Sequence, residues 1–160
     1  MKLLFLHGLE SNPSGTKAVW LRERYGAIVP ALDTSTWERA RAQAEAAVRE
    51  FEPDVLVGSS FGGALAVSLL CDGVTNARTV LIAQAAALLG KGERLPEGTR
   101  AIVLHGTADD VVPIEGSRTL VDNSGPGVRL WEIEGGDHRL NSTLDDGTLA
   151  RAIEAVQALP

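Results

Sequence analysis

The sequence predicts an α/β fold, a three-layer α/β/α sandwich, on three observations. Short apolar runs alternate with stretches of helical periodicity along the whole chain. The runs are apolar at successive positions, as expected of strands buried on both faces of a parallel sheet that helices cover on each side. Polar features fall where those runs end, at His7-Gly8, Ser60, Asp109-Asp110 and Asp137-His138. In such sheets ligands bind beyond the carboxyl ends of the strands.

Leu3 to Leu6 is the first strand, ended by His7-Gly8. A polar loop, Leu9 to Gly15, leads to a helix carrying Ala18, Leu21 and Tyr25 on one face, with Ser14 as its cap. Ala27 to Val29 is the second strand, closed by Pro30. Ser35 and Glu38 match a capping box for the next helix. There Trp37, Ala40, Ala44, Ala47, Val48 and Phe51 share a face, and Glu38, Arg41, Glu45, Arg49 and Glu52 share the opposite, solvated one. Val55 to Val57 is the third strand and Gly63 to Cys71 a helix behind it. Thr79 to Ala83 is the fourth strand. Gln84 to Gly98 holds an Ala/Leu-rich turn of helix and then Gly90-Lys91-Gly92. Ala101 to Leu104 and Val128 to Ile133 are the fifth and sixth strands, with a helix over Ile114 to Val121 between them. Leu149, Ile153, Val156 and Leu159 recur at helical spacing in the tail.

Residues 1–160 read as one domain, since no linker, repeat or low-complexity tract divides them. The net charge of −6 argues against nucleic acid or an anionic membrane as the main partner. No run approaches membrane-spanning length, and the apolar opening stops at His7, too soon for a signal peptide. A cytoplasmic protein is expected. The single cysteine, Cys71, excludes an internal disulfide, and nothing indicates a metal site or a cofactor.

Gly58-Ser59-Ser60-Phe61-Gly62 is a Gly-x-Ser-x-Gly pattern between a strand and a helix, with no room for a loop. Only Ser60 fits its centre, because Ser59 would need glycines where Val57 and Phe61 stand. A strand turning directly into a helix forces the central residue into a strained conformation and projects its side chain from the sheet. The N–H groups after it open a helix N-terminus, where negative charge is stabilised. A serine hydroxyl still needs a base of near-neutral pKa, which suits histidine. The histidine needs a carboxylate to fix its tautomer, and the developing oxyanion needs fixed N–H donors. The chain supplies Ser60, then an aspartate of the Asp109-Asp110 pair, then His138, each at a strand end.

That order is the order of the α/β-hydrolase fold. Leu4-Phe5-Leu6-His7-Gly8-Leu9 resembles the oxyanion strand of that superfamily, and Gly58 to Gly63 its nucleophile elbow. Leu104-His105-Gly106-Thr107-Ala108-Asp109-Asp110-Val111-Val112-Pro113 is similar to its acid loop, and Glu134-Gly135-Gly136-Asp137-His138 to its histidine loop. The opening Phe5 to Pro13 and the Gly-Ser-Ser-x-Gly-Gly elbow most resemble small bacterial esterases of the YqiA type.

The resemblance implies a minimal α/β-hydrolase fold of about six parallel strands, in the order 2-1-3-4-5-6, with no cap domain. It implies Ser60 as nucleophile, His138 as general base and Asp109 as the acid, selected over Asp110 by its distance from Pro113. Backbone N–H groups of Leu9 and Phe61 are the implied oxyanion donors. Leu9, Trp37, Leu88, Val112 and Leu140 are the apolar residues expected near the substrate pocket, with Trp37, Leu88, Val112 and Leu140 as its lining. His7 and His105 are read as turn-stabilising, Asp137 as loop-shaping, and Asp33 and Gln84 as loop residues. The expected function is a serine hydrolase cleaving small carboxylic esters through an acyl-enzyme. Thioesterase, lactonase or peptidase action would use the same triad, and a non-catalytic binding module is the alternative of another class. The expected partner is a small-molecule ester, with the chain a monomer or a homodimer. A phosphate-binding βα turn would leave the aspartate and histidine loops without a role, and no P-loop lysine follows the elbow.

Overall fold

The structure, a computed structural model, describes residues 1–9 and 11–160. Glu10, inside the opening motif, lies outside the described residues. Strand β1 (Leu3–Leu6) leads to helices α1 (Thr16–Tyr25) and α2 (Trp37–Phe51). Strand β2 (Val55–Ser59) turns directly into α3 (Phe61–Cys71), followed by β3 (Arg78–Ile82) and β4 (Ala101–Gly106). Helix α4 (Glu115–Asn123), strand β5 (Val128–Ile133) and helices α5 (Ser142–Asp145) and α6 (Thr148–Ala158) complete the chain.

The sheet has five parallel strands in the order β1-β2-β3-β4-β5, rather than the six expected. The missing strand is the segment at Ala27 to Val29. It reaches the outer edge of β1 where the order 2-1-3-4-5-6 places it, but makes only one parallel bridge, Leu4 to Ile28. The Phe5 N–H donates to the Ile28 carbonyl at 2.9 Å and the Ile28 N–H to the Leu3 carbonyl at 3.0 Å. Gly26, left-handed at φ +64° where it ends α1, stands before it, and Pro30, which has no N–H to donate, stands after it. The three residues between leave no length for a ladder.

Alternate strand residues feed two cores. Leu4, Leu6, Leu56, Leu81 and Val103 pack with α2 and α3, through Ala40, Ala44, Val48, Leu65 and Leu69. Leu3, Phe5, Val57, Val80, Ile102 and Leu104 pack with α1 and α6, through Ala18, Leu21, Leu149, Ile153 and Val156. Each large side chain so enclosed contributes about 1.5–3 kcal/mol. With both faces covered, β1, β2 and β4 have no solvated side, which is why they read as near-continuous apolar runs, whereas the edge strand β5 is partly exposed and carries Arg129 and Glu132.

Local details depart from the sequence reading in four places. Thr36, not Ser35, caps α2: its side-chain oxygen accepts the Arg39 N–H at 3.1 Å, while the Ser35 hydroxyl donates to Asp33 Oδ1 at 2.6 Å. Gly15, not Ser14, precedes α1 and makes no side-chain cap. The charged face of α2 is not wholly solvated, because Arg41 reaches across to α3. It donates to Ser68 Oγ and Asp72 Oδ2, each at 2.9 Å, and pairs with Glu45 within its own helix. Residues 83–100, between β3 and β4, form turns and bends with no helix among them.

Candidate active site

Ser60 sits between β2 and α3 at φ +54° and ψ −114°, a conformation that costs a side-chain-bearing residue free energy. The glycines around it enforce the bend. A Cβ on Gly58 would stand 2.6 Å from the Gly62 carbonyl oxygen, and one on Gly62 would collide with the Leu6 carbonyl. A Cβ on Gly63 would meet the Gln84 side chain at 2.7 Å. Strand, helix and the neighbouring β1 therefore touch backbone to backbone. The Ser60 carbonyl accepts N–H groups from Ala64 and Ala85, both at 3.1 Å, which ties the bend to the exit of β3.

Ser60 Oγ stands 3.0 Å from His138 Nε2, and His138 Nδ1 stands 2.9 Å from Asp109 Oδ2. A carboxylate only accepts, so Nδ1 carries the proton and Nε2 is left to accept from the serine hydroxyl. Asp109 has a fully buried side chain whose Oδ1 accepts the N–H groups of Val111 and Val112, at 2.9 and 2.8 Å. Burial alone would raise its pKa. The bonds from His138, Val112 and Val111 outweigh burial and hold the carboxyl below the usual aspartate value. Asp110 is exposed and belongs to the cavity wall instead.

The loops bearing Asp109 and His138 are joined through their backbones. The Ala108 N–H donates to the Gly136 carbonyl at 3.0 Å, and the Gly135 N–H to Thr107 Oγ1 at 2.7 Å. A Cβ on Gly106 would collide with that same Gly136 carbonyl, so only glycine permits the approach.

On the other side of Ser60 lies the turn after β1. A Cβ at Gly8 would touch Ser60 Cβ at 3.5 Å, so the turn abuts the serine. His7 shapes it. Its Nε2 accepts the Leu32 N–H at 3.2 Å, so its Nδ1 carries the proton and donates to the Gly8 carbonyl at 2.9 Å. Among the described residues, neither the Leu9 N–H nor the Phe61 N–H donates to a backbone acceptor.

A cavity of about 590 Å³ opens beside Ser60 and His138. Of the expected apolar residues, Leu9 forms part of its wall, and Trp37, Leu88, Val112 and Leu140 do not. Leu140 is fully buried in the core beside α6, its backbone at φ +52° turning it inward two residues after His138. Val112 is buried in the core on the α2–α3 side. Trp37 packs edge-on to Phe61 with the Lys91 ammonium 4.4 Å above its ring, and Leu88 is exposed to solvent. The wall mixes polar and apolar surface: Ser11, Asn12, Lys17, Asp137, Arg139 and Asn141 supply polar groups, and Phe5, Leu9 and Val111 are apolar contacts. Lys17, at the start of α1, donates to Asn141 Oδ1 at 3.1 Å. Burial pulls its pKa down to about 8, against Asp137 and with Arg139. The signal for this wall was the polar run Ser11-Asn12-Pro13-Ser14-Gly15 directly after the His-Gly turn.

Gln84 is buried and lies away from the cavity, and Asp33 bonds only to its own loop and to α2. No helix among the described residues is long and apolar enough to cross a membrane.

The model of the family described as Uncharacterised protein family (UPF0227) matches residues 2–89, from β1 through the Ser60 elbow to beyond β3. The chain belongs to the UPF0227 family. This UPF0227 chain shares its fold with solved structures named as hydrolases, esterases and lipases. Alpha/beta hydrolase domain-containing protein 10 from mouse superposes with a TM-score of 0.79 at 17% identity, over 99% of this chain and 90% of that one. A monoacylglycerol lipase from Paleococcus ferrophilus gives 0.76 at 16% identity, over 99% and 94%. The esterase domain of a Rhodothermus marinus protein gives 0.68 at 16% identity, over 96% and 85%.

Proposed function

We propose that this protein is a serine hydrolase that cleaves small carboxylic esters through an acyl-enzyme on Ser60. The observation that carries the reading is the continuous chain from Ser60 Oγ through His138 to the buried Asp109 carboxylate. Ser60 Oγ attacks the acyl carbon as its proton passes to His138 Nε2, and the Asp109 carboxylate stabilises the imidazolium so formed. The tetrahedral oxyanion takes the N–H groups of Leu9 and Phe61, the second at the N-terminus of α3. Collapse expels the alcohol, protonated by His138 Nε2–H. Water, deprotonated by the same nitrogen, then releases the acid and restores Ser60.

The small number of apolar side chains in the wall limits the acyl group. An extra methylene contributes about 0.8 kcal/mol only where apolar wall exists to contact it, and Leu9, Val111 and the nearly buried Phe5 are all that supply it. We read residues 1–160 as a single domain without a cap, so acyl carbons beyond the first few meet solvent. The test is a fluorophosphonate label followed by peptide mapping, with a p-nitrophenyl ester series alongside. The label should fall on Ser60, and kcat/KM should not rise beyond butyrate. A label elsewhere, or none, overturns the serine assignment; a steady rise to decanoate overturns the short-acyl reading.

A further inference from the structure

We infer that His105 is a positioning residue for Asp109, holding the acid loop so that Oδ2 faces His138; this rests on the reading of Asp109 as the acid of the site. His105 is fully buried, and both ring nitrogens are engaged. Nε2 stands 2.9 Å from the Val112 carbonyl and 3.2 Å from Asp109 Oδ2. Both oxygens only accept, so Nε2 carries the proton. Nδ1, then an acceptor, stands 2.7 Å from Ser117 Oγ, which must donate to it. Ser117 Oγ in turn accepts from Gln84 Nε2 at 3.0 Å, and Gln84 Oε1 accepts the Ala86 N–H at 2.8 Å. Every donor in this buried line points the same way, from the segment after β3 through α4 to the acid loop.

The line ends on the dipeptide that holds the acid. Val112 gives its N–H to Asp109 Oδ1 and its carbonyl takes the His105 proton. Asp109 Oδ1 is thereby fixed, and the remaining freedom is rotation of the carboxylate about that anchor. The polarised Nε2–H beside Oδ2 opposes that rotation. Burial pulls the His105 pKa down, so the ring is neutral and adds direction rather than a second full charge. A histidine that merely filled the core would not need this tautomer.

The test compares His105→Leu, His105→Gln and Ser117→Ala with the wild type. Long-range 1H–15N spectra report which nitrogen of each imidazole carries the proton, and p-nitrophenyl acetate kinetics give kcat and KM. In the wild type His105 should be the Nε2–H tautomer and His138 the Nδ1–H tautomer. His105→Leu should leave His138 a mixture of tautomers and lower kcat about tenfold at unchanged KM, the effect of one hydrogen bond to a charged group. His105→Gln, which keeps an N–H at the Nε2 position, should restore both. Ser117→Ala, a smaller change in packing, should move both readouts the same way by less, and decides the matter if the leucine variant does not fold. An Nδ1–H tautomer at His105, or an unaltered His138 in the folded variants, overturns the inference. An inactive wild type would overturn the esterase reading, while the spectra would still test the positioning.

Discussion

The two ends of the sheet are built from the same strands and do opposite things with their polar groups. At the amino ends, a cavity of about 390 Å³ is lined by residues that include Asp54, Arg78 and Arg100. Its arginines secure the chain end. Arg78 donates to the carbonyls of Val156 and Leu159 at 2.8 and 2.6 Å, and Arg100 to that of Pro160 at 2.9 Å. At the carboxyl ends, side chains are aimed at one another, and the backbone is bent to aim them. Ser60, Ala83 and Leu140 all have positive φ there; the fourth such non-glycine residue among those described, Glu52, caps α2. Lys17 is half-buried there with its charge. One end of the sheet spends its polar groups on stability, whereas the other carries strain and desolvated charge. In α/β sheets such a contrast marks the carboxyl end as the candidate site for chemistry.

The largest effect that would sharpen this contrast is on turnover. Ser60→Ala should lower kcat by ~10⁶, with the thermal midpoint little changed because alanine keeps the same backbone strain. Residual turnover near the wild-type level would mean that the chemistry lies elsewhere. Next comes the choice between adjacent acids. Asp109→Asn should cost ~10⁴ in kcat by leaving His138 in the wrong tautomer, and Asp110→Asn should be mild. Parallel kinetics on both variants decide it, and a greater loss at Asp110 would break the assignment.

Gly62→Ala should reverse the ordinary rule that alanine stabilises a helix. The new Cβ collides with the Leu6 carbonyl, backbone that cannot swing aside, so the cost should be about 3 kcal/mol by denaturant unfolding. The smallest effect has a pH signature. Lys17 is pulled from 10.5 to about 8 in the folded state, so its charge opposes folding below pH 8, and that opposition fades as the pH rises to 10.5. Lys17→Met should therefore raise Tm at pH 7, with the gain shrinking across that window. Arg78→Met, at the other end, should lower Tm and leave kcat unchanged. If Lys17→Met lowers Tm at pH 7, the carboxyl end does not carry the cost assigned to it.

What the sequence disclosed follows the same division. The elbow was legible because a strand that becomes a helix without a loop leaves glycines at fixed spacing about Ser60. The inner strands were legible because burial on both faces removes polar alternation. The second strand shrank to a bridge because its neighbours, Gly26 and Pro30, constrain the backbone more than its apolar residues favour pairing. Leu140 and Val112 misled because apolar character does not say which way a loop residue turns; a positive φ sends Leu140 into the core. The polar part of the cavity wall was hidden because it joins the start of α1 to the turn after β5, more than a hundred residues apart. Gln84 and Ser117 were hidden for the same reason: their partners come from different strands and helices.

The glycine contact between Gly106 and Gly136 has a kinetic consequence. Because the acid loop and the histidine loop meet through backbone, neither can open alone. The Ala108 amide, bonded to the Gly136 carbonyl, exchanges with solvent only when the two part. Its hydrogen-exchange rate is therefore a clock for the whole assembly. It counts how often Asp109 and His138 are lost to each other, in the resting protein, without any substrate being turned over.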